Sequence, residues 1–215
     1  MSGKSTISEQ IYKELFEDIT AQRLKCGQKL TLKVLKERFG VSHTPIREAL
    51  TRLSEDGLAT YYSNCGVKVA DFTEDDITQL FQFIGKLDAM AISFCKNLSS
   101  VTPLIYELNE IIDNSNRLLN ENNISGWKKY SEGFHVAFYR WARNSCLDDA
   151  ARRVRARVEL LSCMYYEGEN PALIEKQHRE ILSEIKKGDF DKAAELMYEH
   201  LQHSLVYALN AFRTK

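Results

Sequence analysis

The chain has 215 residues, of which 44% are hydrophobic and 27% charged, and its formal net charge is −1. This length predicts one or two domains, and the hydrophobic share is sufficient for a packed globular core. No apolar run approaches the roughly 18 residues that a membrane-spanning helix needs, and the polar start MSGKSTISEQ has no signal-peptide core, so we expect a cytoplasmic protein. The five cysteines form no CxxC pair, which argues against a disulfide framework or a cysteine zinc knuckle.

Two amphipathic helices and a tight turn are predicted at the start of the chain. The first helix covers residues 8–23 and begins with a capping box of Thr6 and Glu9. A second apolar stripe precedes the turn GVS at 40–42, which is too short for anything but two helices that cross steeply. The inward positions of these two helices share helical spacing: Ile11, Leu15, Ile19, Leu32, Leu35 and Phe39.

The third helix, SHTPIREALTRLSEDG over 42–57, has the pattern of a recognition helix that lies in a DNA groove. Pro45 falls in the first turn, where its missing N–H costs nothing, and Ser42 or Thr44 can accept hydrogen bonds from the free backbone N–H groups. Gly57 ends the helix. Apolar residues recur on one face, while polar ones such as Arg47 point away from it.

Residues 59–69 predict a β-hairpin that follows the helix-turn-helix unit. Two short extended runs flank the turn at 64–66, and Val67 and Val69 alternate with Lys68. We therefore predict a mainly α protein that begins with a winged helix-turn-helix domain over residues 1–70.

A resemblance to the DNA-binding domain of the GntR family of bacterial transcription regulators is carried by QRLKCGQKLTLKVLKERFGVSHTPIREALTRLSEDGLATYYSNCGVKV. The matching elements are a basic residue before a turn glycine, GVS, TPxREAL and EDGL, in that order. The chain departs from the family at Cys26, where Pro is usual, and at His43, where Arg is frequent. The resemblance implies that this domain binds an operator in double-stranded DNA.

The predicted DNA contacts divide by their targets. We expect Lys33 and Arg47 on phosphates and the tip of the third helix near base edges, with the hairpin reaching the minor groove or backbone. The candidate positions are Lys33, Ser42, His43, Thr44, Arg47, Gly66 and Lys68. The resemblance supports four of them: Lys33, His43, Thr44 and Arg47. Residues 1–70 hold 11 Lys and Arg against 8 Asp and Glu, and the remainder holds 18 against 22. The basic excess is therefore modest, so affinity should depend on dimerisation and clustered contacts.

From Thr73 onward the pattern is helical, and it predicts an antiparallel bundle of about six helices in a second domain over 71–215. The predicted helices are 74–97, 102–121, 125–143, 146–166, 171–187 and 190–212.

Three histidines interrupt apolar stripes of this bundle: His135, His178 and His200. Each should point inward, where a neutral imidazole needs a hydrogen-bond partner or a metal. Three imidazoles from separate helices can converge as nitrogen ligands of one divalent ion such as zinc or nickel. Satisfied core histidines are the alternative.

The bundle resembles the effector domain of the FadR subfamily of GntR regulators, whose metal-binding members use one Asp and three His. The three histidines match, but Ser131 occupies the Asp position, and a neutral hydroxyl is a poor ligand. Ile84 occupies the place where many members carry an Arg that grips an effector carboxylate, beside Asp88 where Glu is usual. The resemblance implies an effector site with Ser131, Ile84 and Asp88, to which Arg157 is a weaker addition.

These patterns predict a ligand-responsive transcription regulator, not an enzyme, that binds a near-palindromic operator as a homodimer and a small organic acid as effector.

A different class of protein also fits part of the sequence. The ExxH spacing of di-iron carboxylate bundles, which are oxidative enzymes, occurs twice: in Glu132 with His135 and in Glu175 with His178. In such an enzyme Glu107 or Glu159 would supply the carboxylate that bridges the two irons. A third interpretation is a winged helix that contacts proteins instead of DNA.

Overall fold

A computed structural model of the chain describes residues 5–62, 66–165 and 170–214. Within these ranges it contains nine α-helices and three short β-strands. In chain order the elements are α1 (Ile7–Thr20), β1 (Lys29–Leu30), α2 (Leu32–Phe39), α3 (His43–Glu55), β2 (Ala59–Tyr62), β3 (Gly66–Val69), α4 (Glu74–Cys95), α5 (Thr102–Asn120), α6 (Ile124–Ala142), α7 (Ser145–Tyr165), α8 (Pro171–Lys187) and α9 (Phe190–Arg213).

The chain divides into two compact units. One unit consists of Met1–Leu80 and Arg152–Tyr166, and the other of Phe81–Ala151 and Glu167–Lys215. Helices α4 and α7 therefore each contribute residues to both units. The division after residue 70 that the sequence suggests stays a prediction.

The first unit is built on the three-helix core that the sequence predicts. Helix α3 packs against both α1 and α2, and the side chains between them are fully buried. The hydroxyl of Thr6 accepts from the backbone N–H of Glu9 at 3.2 Å and so caps α1. Ser42 is the N-cap residue of α3, but its side chain makes no capping hydrogen bond, which corrects the capping role expected of it.

The three strands form one antiparallel sheet in the order β1–β3–β2. The predicted hairpin is present, with Ala59 opposite Val69 and Tyr62 opposite Gly66. Its turn residues 63–65, which include Asn64 and Cys65, lie outside the described residues. Strand β1 was not predicted, because two residues are too few to show an alternating pattern.

The second unit contains helices α5, α6, α8 and α9 with parts of α4 and α7. Helix α5 packs against α6 and α8, and α8 packs against α9. Two helix ends have clear local causes. Thr73 and Asp76 form a reciprocal capping box before α4, and Gly188 ends α8 with a positive φ of 80°. None of the described helices is both long enough and apolar enough to cross a bilayer.

Candidate DNA interface and buried histidine site

The predicted DNA-contacting residues of the helices lie on the exposed surface of the first unit. Ser42, His43, Thr44 and Arg47 are exposed at the start of α3, and Lys33 is exposed on α2. These positions follow from the local fold, because the apolar stripe of α3 turns toward α1 and α2 and leaves the opposite face to solvent.

The hairpin residues lie at the edge of the same small sheet. Gly66 is exposed at the start of β3 with a φ of 83°, and Lys68 is half-buried. The Nζ of Lys68 lies 4.9 Å from the centre of the Tyr62 ring, which is a cation–π contact.

The basic residues of this unit differ in whether they already have partners. Arg23 and Arg38 both pair with the carboxylate of Asp18, and the guanidinium of Arg52 lies 4.3 Å from the centre of the Tyr12 ring. Lys33 and Arg47 make no ion pair with any residue in the described part of the chain. Their charges are therefore free to neutralise phosphates.

Two tyrosines on β2 are surface residues that the sequence analysis missed. Tyr61 is 51% exposed and Tyr62 is 48% exposed, and the hydroxyls of Tyr61 and Thr51 lie 3.3 Å apart. Aromatic residues in a short strand normally indicate core positions, so only the burial pattern of β2 reveals them as exposed.

The carboxyl end of the recognition helix is held by buried polar contacts. Asp56 accepts a hydrogen bond from the Tyr12 hydroxyl at 2.7 Å and one from Arg152 Nη1 at 2.5 Å. Gly57 follows with a φ of 75°, and a β-carbon there would lie 2.9 Å from Cδ of Arg157. The end of α3 is thus fixed by α1 and by the C-terminal part of α7.

In the second unit, three histidines from three different helices lie together in the core. His135 on α6, His178 on α8 and His200 on α9 are all buried, and their ring centres lie 4.9–5.2 Å apart. One nitrogen of each ring lies within 4.8 Å of the corresponding nitrogens of the other two. No carboxylate or thiolate belongs to this group among the described residues.

Hydrogen bonds fix the orientation of two of these imidazoles. Nδ1 of His135 donates to Oδ2 of Asp88 at 2.8 Å, and the Tyr139 hydroxyl donates to Oδ1 of the same carboxylate at 2.6 Å. Nδ1 of His200 donates to Oε1 of Gln177 at 2.8 Å. In the neutral form of either ring, Nδ1 therefore carries the proton and Nε2 has a free lone pair.

The third imidazole has a buried nitrogen without a partner. His178 stacks on Phe134 with ring centres 4.3 Å apart, and its Nε2 has no hydrogen bond within the described residues. Burial, and then the neighbouring His200 and His135, hold the pKa of His178 well below its usual range. Burial lowers the pKa of His200 to about 3. Both rings are therefore neutral at physiological pH, which is the form that binds metals.

The four residues predicted to contact the effector do not all lie in the same unit as the histidines. Ser131 is half-buried one turn before His135 on α6, and Ile84 is buried one turn before Asp88 on α4. Asp88 is only 1% exposed, and the hydrogen bonds to both its oxygens give it a positioning role toward His135. Arg157 belongs to the first unit, where it lies over the Phe72 ring and beside Asp76.

Among the described residues no carboxylate joins the three histidines, so the geometry does not support a di-iron centre. Glu175 accepts hydrogen bonds from Ser115 and Trp127, and Glu107 accepts from Arg140 and Trp141. Neither carboxylate belongs to the histidine group, and nor does Glu132.

Comparison with known proteins identifies the family. The profile of bacterial regulatory proteins of the gntR family matches residues 7–69, and the profile of the FCD domain matches residues 79–203. The chain belongs to the GntR family and carries an FCD domain. The predicted subfamily, which combines a winged helix with a helical effector domain, is thereby confirmed.

The relatives of this GntR protein are transcription regulators. The uncharacterized HTH-type transcriptional regulator YdhC of Bacillus subtilis is 23% identical, over 90% of this chain and 87% of its own length. Two Escherichia coli repressors are also similar. RspR is 24% identical over 91% of this chain and 86% of its own length. GlaR is 26% identical over 88% of this chain and 90% of its own length.

Solved structures agree with the GntR fold. Escherichia coli McbR/YncC superimposes with a TM-score of 0.78 at 20% identity, over 96% of this chain and 99% of its own. A putative GntR regulator from Rhodococcus has a TM-score of 0.75 at 19% identity, over 94% of this chain and 97% of its own. This GntR protein is a ligand-responsive DNA-binding transcription regulator, with its DNA-binding domain at the N-terminus and its effector-binding domain in the helical bundle.

Proposed function

We propose that His135, His178 and His200 hold one divalent metal ion, zinc or nickel, which forms part of the effector site. The observation that carries this proposal is Nε2 of the buried His178, which has no hydrogen-bond partner among the described residues. This ring lies beside two further imidazoles whose Nδ1 atoms are already hydrogen-bonded. Three neutral imidazoles suit zinc and nickel and leave coordination positions open.

The residues of this chain fit such an ion even without the family's usual Asp. Ser131 brings no charge, but Asp88 lies behind His135 and raises the basicity of that ligand through its hydrogen bond. Gln177 holds His200 in the same way, with a neutral amide. A bound ion would supply a Lewis-acidic position for an anionic group of the effector, which we propose to be a small organic acid.

We propose that the regulator acts in the cytoplasm as a homodimer on a near-palindromic operator. Lys33 and Arg47 neutralise phosphates, Ser42, His43 and Thr44 approach base edges, and the hairpin with Gly66 and Lys68 reaches the backbone or minor groove. Helix α4 offers an apolar surface for the second copy, because Phe83, Met90 and Phe94 are all exposed on it at helical spacing. Effector binding changes DNA occupancy only if the effector prefers one arrangement of the dimer.

The metal content of the purified full chain tests the histidine centre. We expect one zinc or nickel ion per chain by elemental mass analysis after dialysis, and less than a tenth of that in His178→Phe. Phenylalanine should preserve packing, since the imidazole it replaces stacks on Phe134. His43→Gln, which changes an exposed histidine of the first unit, should keep the ion. Two irons per chain, or equal metal in both variants, would contradict the proposal.

A further inference from the structure

Glu175 on α8 is a buried carboxylate of which only one oxygen has hydrogen-bond partners among the described residues. It is 2% exposed, and its Oε1 accepts hydrogen bonds from the Ser115 hydroxyl at 2.5 Å and from Trp127 Nε1 at 2.9 Å. Its Oε2 is buried and has no hydrogen-bond partner within the described residues. The carboxylate therefore lacks at least one donor.

The neutral surroundings of Glu175 indicate that the missing hydrogen-bond donor is a cation. Both groups that contact Oε1 are neutral, and no ion pair of Glu175 exists within the described parts of the chain. A buried anion without a compensating cation or full hydrogen bonding is strongly unfavourable. The described residues offer no such cation, and a cationic donor brought by a ligand would satisfy both the charge and Oε2.

The position of Glu175 connects it with the histidine centre. Helices α6 and α8 contact each other at two polar points: Trp127 donates to Glu175, and the rings of His135 and His178 lie 5.1 Å apart. Ser131 lies on α6 four residues from both Trp127 and His135, on the same face of that helix. Trp127, which donates to Glu175, and His135 of the histidine centre therefore lie on one face of α6, one turn on either side of the half-buried Ser131.

We propose that Oε2 of Glu175 accepts a hydrogen bond from a protonated amine of the effector. The effector is then a small amino acid, with its ammonium group at Glu175 and a carboxylate at the histidine centre. This inference rests on the proposed function of that centre, and it narrows the effector class from organic acids to those that also carry an amine. A charge-assisted hydrogen bond at a buried carboxylate discriminates strongly against analogues without the donor.

Matched pairs of small acids test this proposal on the zinc-loaded full chain. The probes are alanine against propionate, aspartate against succinate, and glutamate against glutarate, measured by calorimetric titration and by the shift in melting temperature. We expect at least one amino acid to bind at least tenfold more tightly than its partner acid. Glu175→Gln should lower its affinity at least tenfold and leave the partner acid unchanged. Glu180→Gln, an exposed carboxylate on the same helix, should behave as wild type.

The outcomes separate this inference from the function on which it rests. Absence of amine preference in every pair, or a preference that survives Glu175→Gln, overturns the role of Glu175. Zinc content is measured in the same samples, so loss of zinc contradicts the histidine centre, whereas retained zinc without amine preference contradicts Glu175 alone. If Glu175→Gln does not fold, Glu175→Asp replaces it, and an amine preference equal to wild type overturns the proposal.

Discussion

Asp88 shows how one side chain can organise a site without contacting its ligand. Its two oxygens accept from Nδ1 of His135 and from the Tyr139 hydroxyl, so the imidazole is fixed in one tautomer with Nε2 available. The family's metal-binding members place an acid among the ligands, where this chain has Ser131. Here the carboxylate of Asp88 instead contacts Nδ1 of His135, on the side of the ring away from Nε2.

Replacement of this carboxylate should therefore weaken metal binding without unfolding the protein. We expect Asp88→Asn to reduce zinc affinity about 10- to 100-fold, because the asparagine still accepts a hydrogen bond but carries no charge. Competition titration with a zinc-chelating dye measures the change. Asp191→Asn, an exposed carboxylate that pairs with Lys96, is the control, and equal zinc affinity in Asp88→Asn and the control would contradict the role of Asp88.

At this scale the sequence pointed to the three candidate ligands but not to the side chains that orient them. His135, His178 and His200 could be proposed because each interrupts an apolar helical stripe, and a buried imidazole needs a partner. Asp88, Gln177 and the contact of Glu175 with Trp127 depend on which helices are neighbours and how they are rotated. That information is tertiary, so a pattern along one helix does not contain it.

The elements themselves were predicted closely where local chemistry sets their ends. Helix α8 was predicted at its observed bounds because Pro171 begins it and Gly188 ends it. Strand β1 and the exposed side of β2 were missed, since short strands take their conformation from the partners they pair with. The capping role of Ser42 was also wrong: the residue occupies the N-cap position of α3, but its side chain makes no capping hydrogen bond.

The end of the recognition helix provides a prediction at the level of elements. Gly40 and Gly57 both have positive φ, but a β-carbon at Gly40 meets nothing within 4 Å, whereas one at Gly57 lies 2.9 Å from Cδ of Arg157. Gly40→Ala should cost about 1–2 kcal/mol of unfolding free energy through backbone strain alone. Gly57→Ala should cost more, since Arg157 must also move, and urea unfolding of both full-length variants compares them. Equal losses would show that α7 does not pack tightly on this helix end.

At the scale of the whole molecule, the DNA-binding unit includes part of α7 as well as the N-terminal residues. Arg152 from that helix shares Asp56 with Tyr12, at the end of the recognition helix. A sequence-based division after residue 70 has no means to detect this, because the contact joins residues almost a hundred positions apart. The three-helix core and the hairpin were predictable from sequence, whereas the contribution of α7 was not.

The central claim is that this chain regulates transcription by placing α3 on DNA, with two copies on each operator. Fluorescence anisotropy of the full chain on its selected operator duplex, titrated at several salt concentrations, tests it most directly. We predict saturation at two chains per duplex, and Arg47→Ala should weaken binding and reduce the magnitude of the salt slope by about one. Arg117→Ala, which changes an exposed arginine of the bundle, should leave the slope unchanged. Absence of binding at low salt, or a slope that Arg47→Ala does not alter, would contradict this account of DNA recognition.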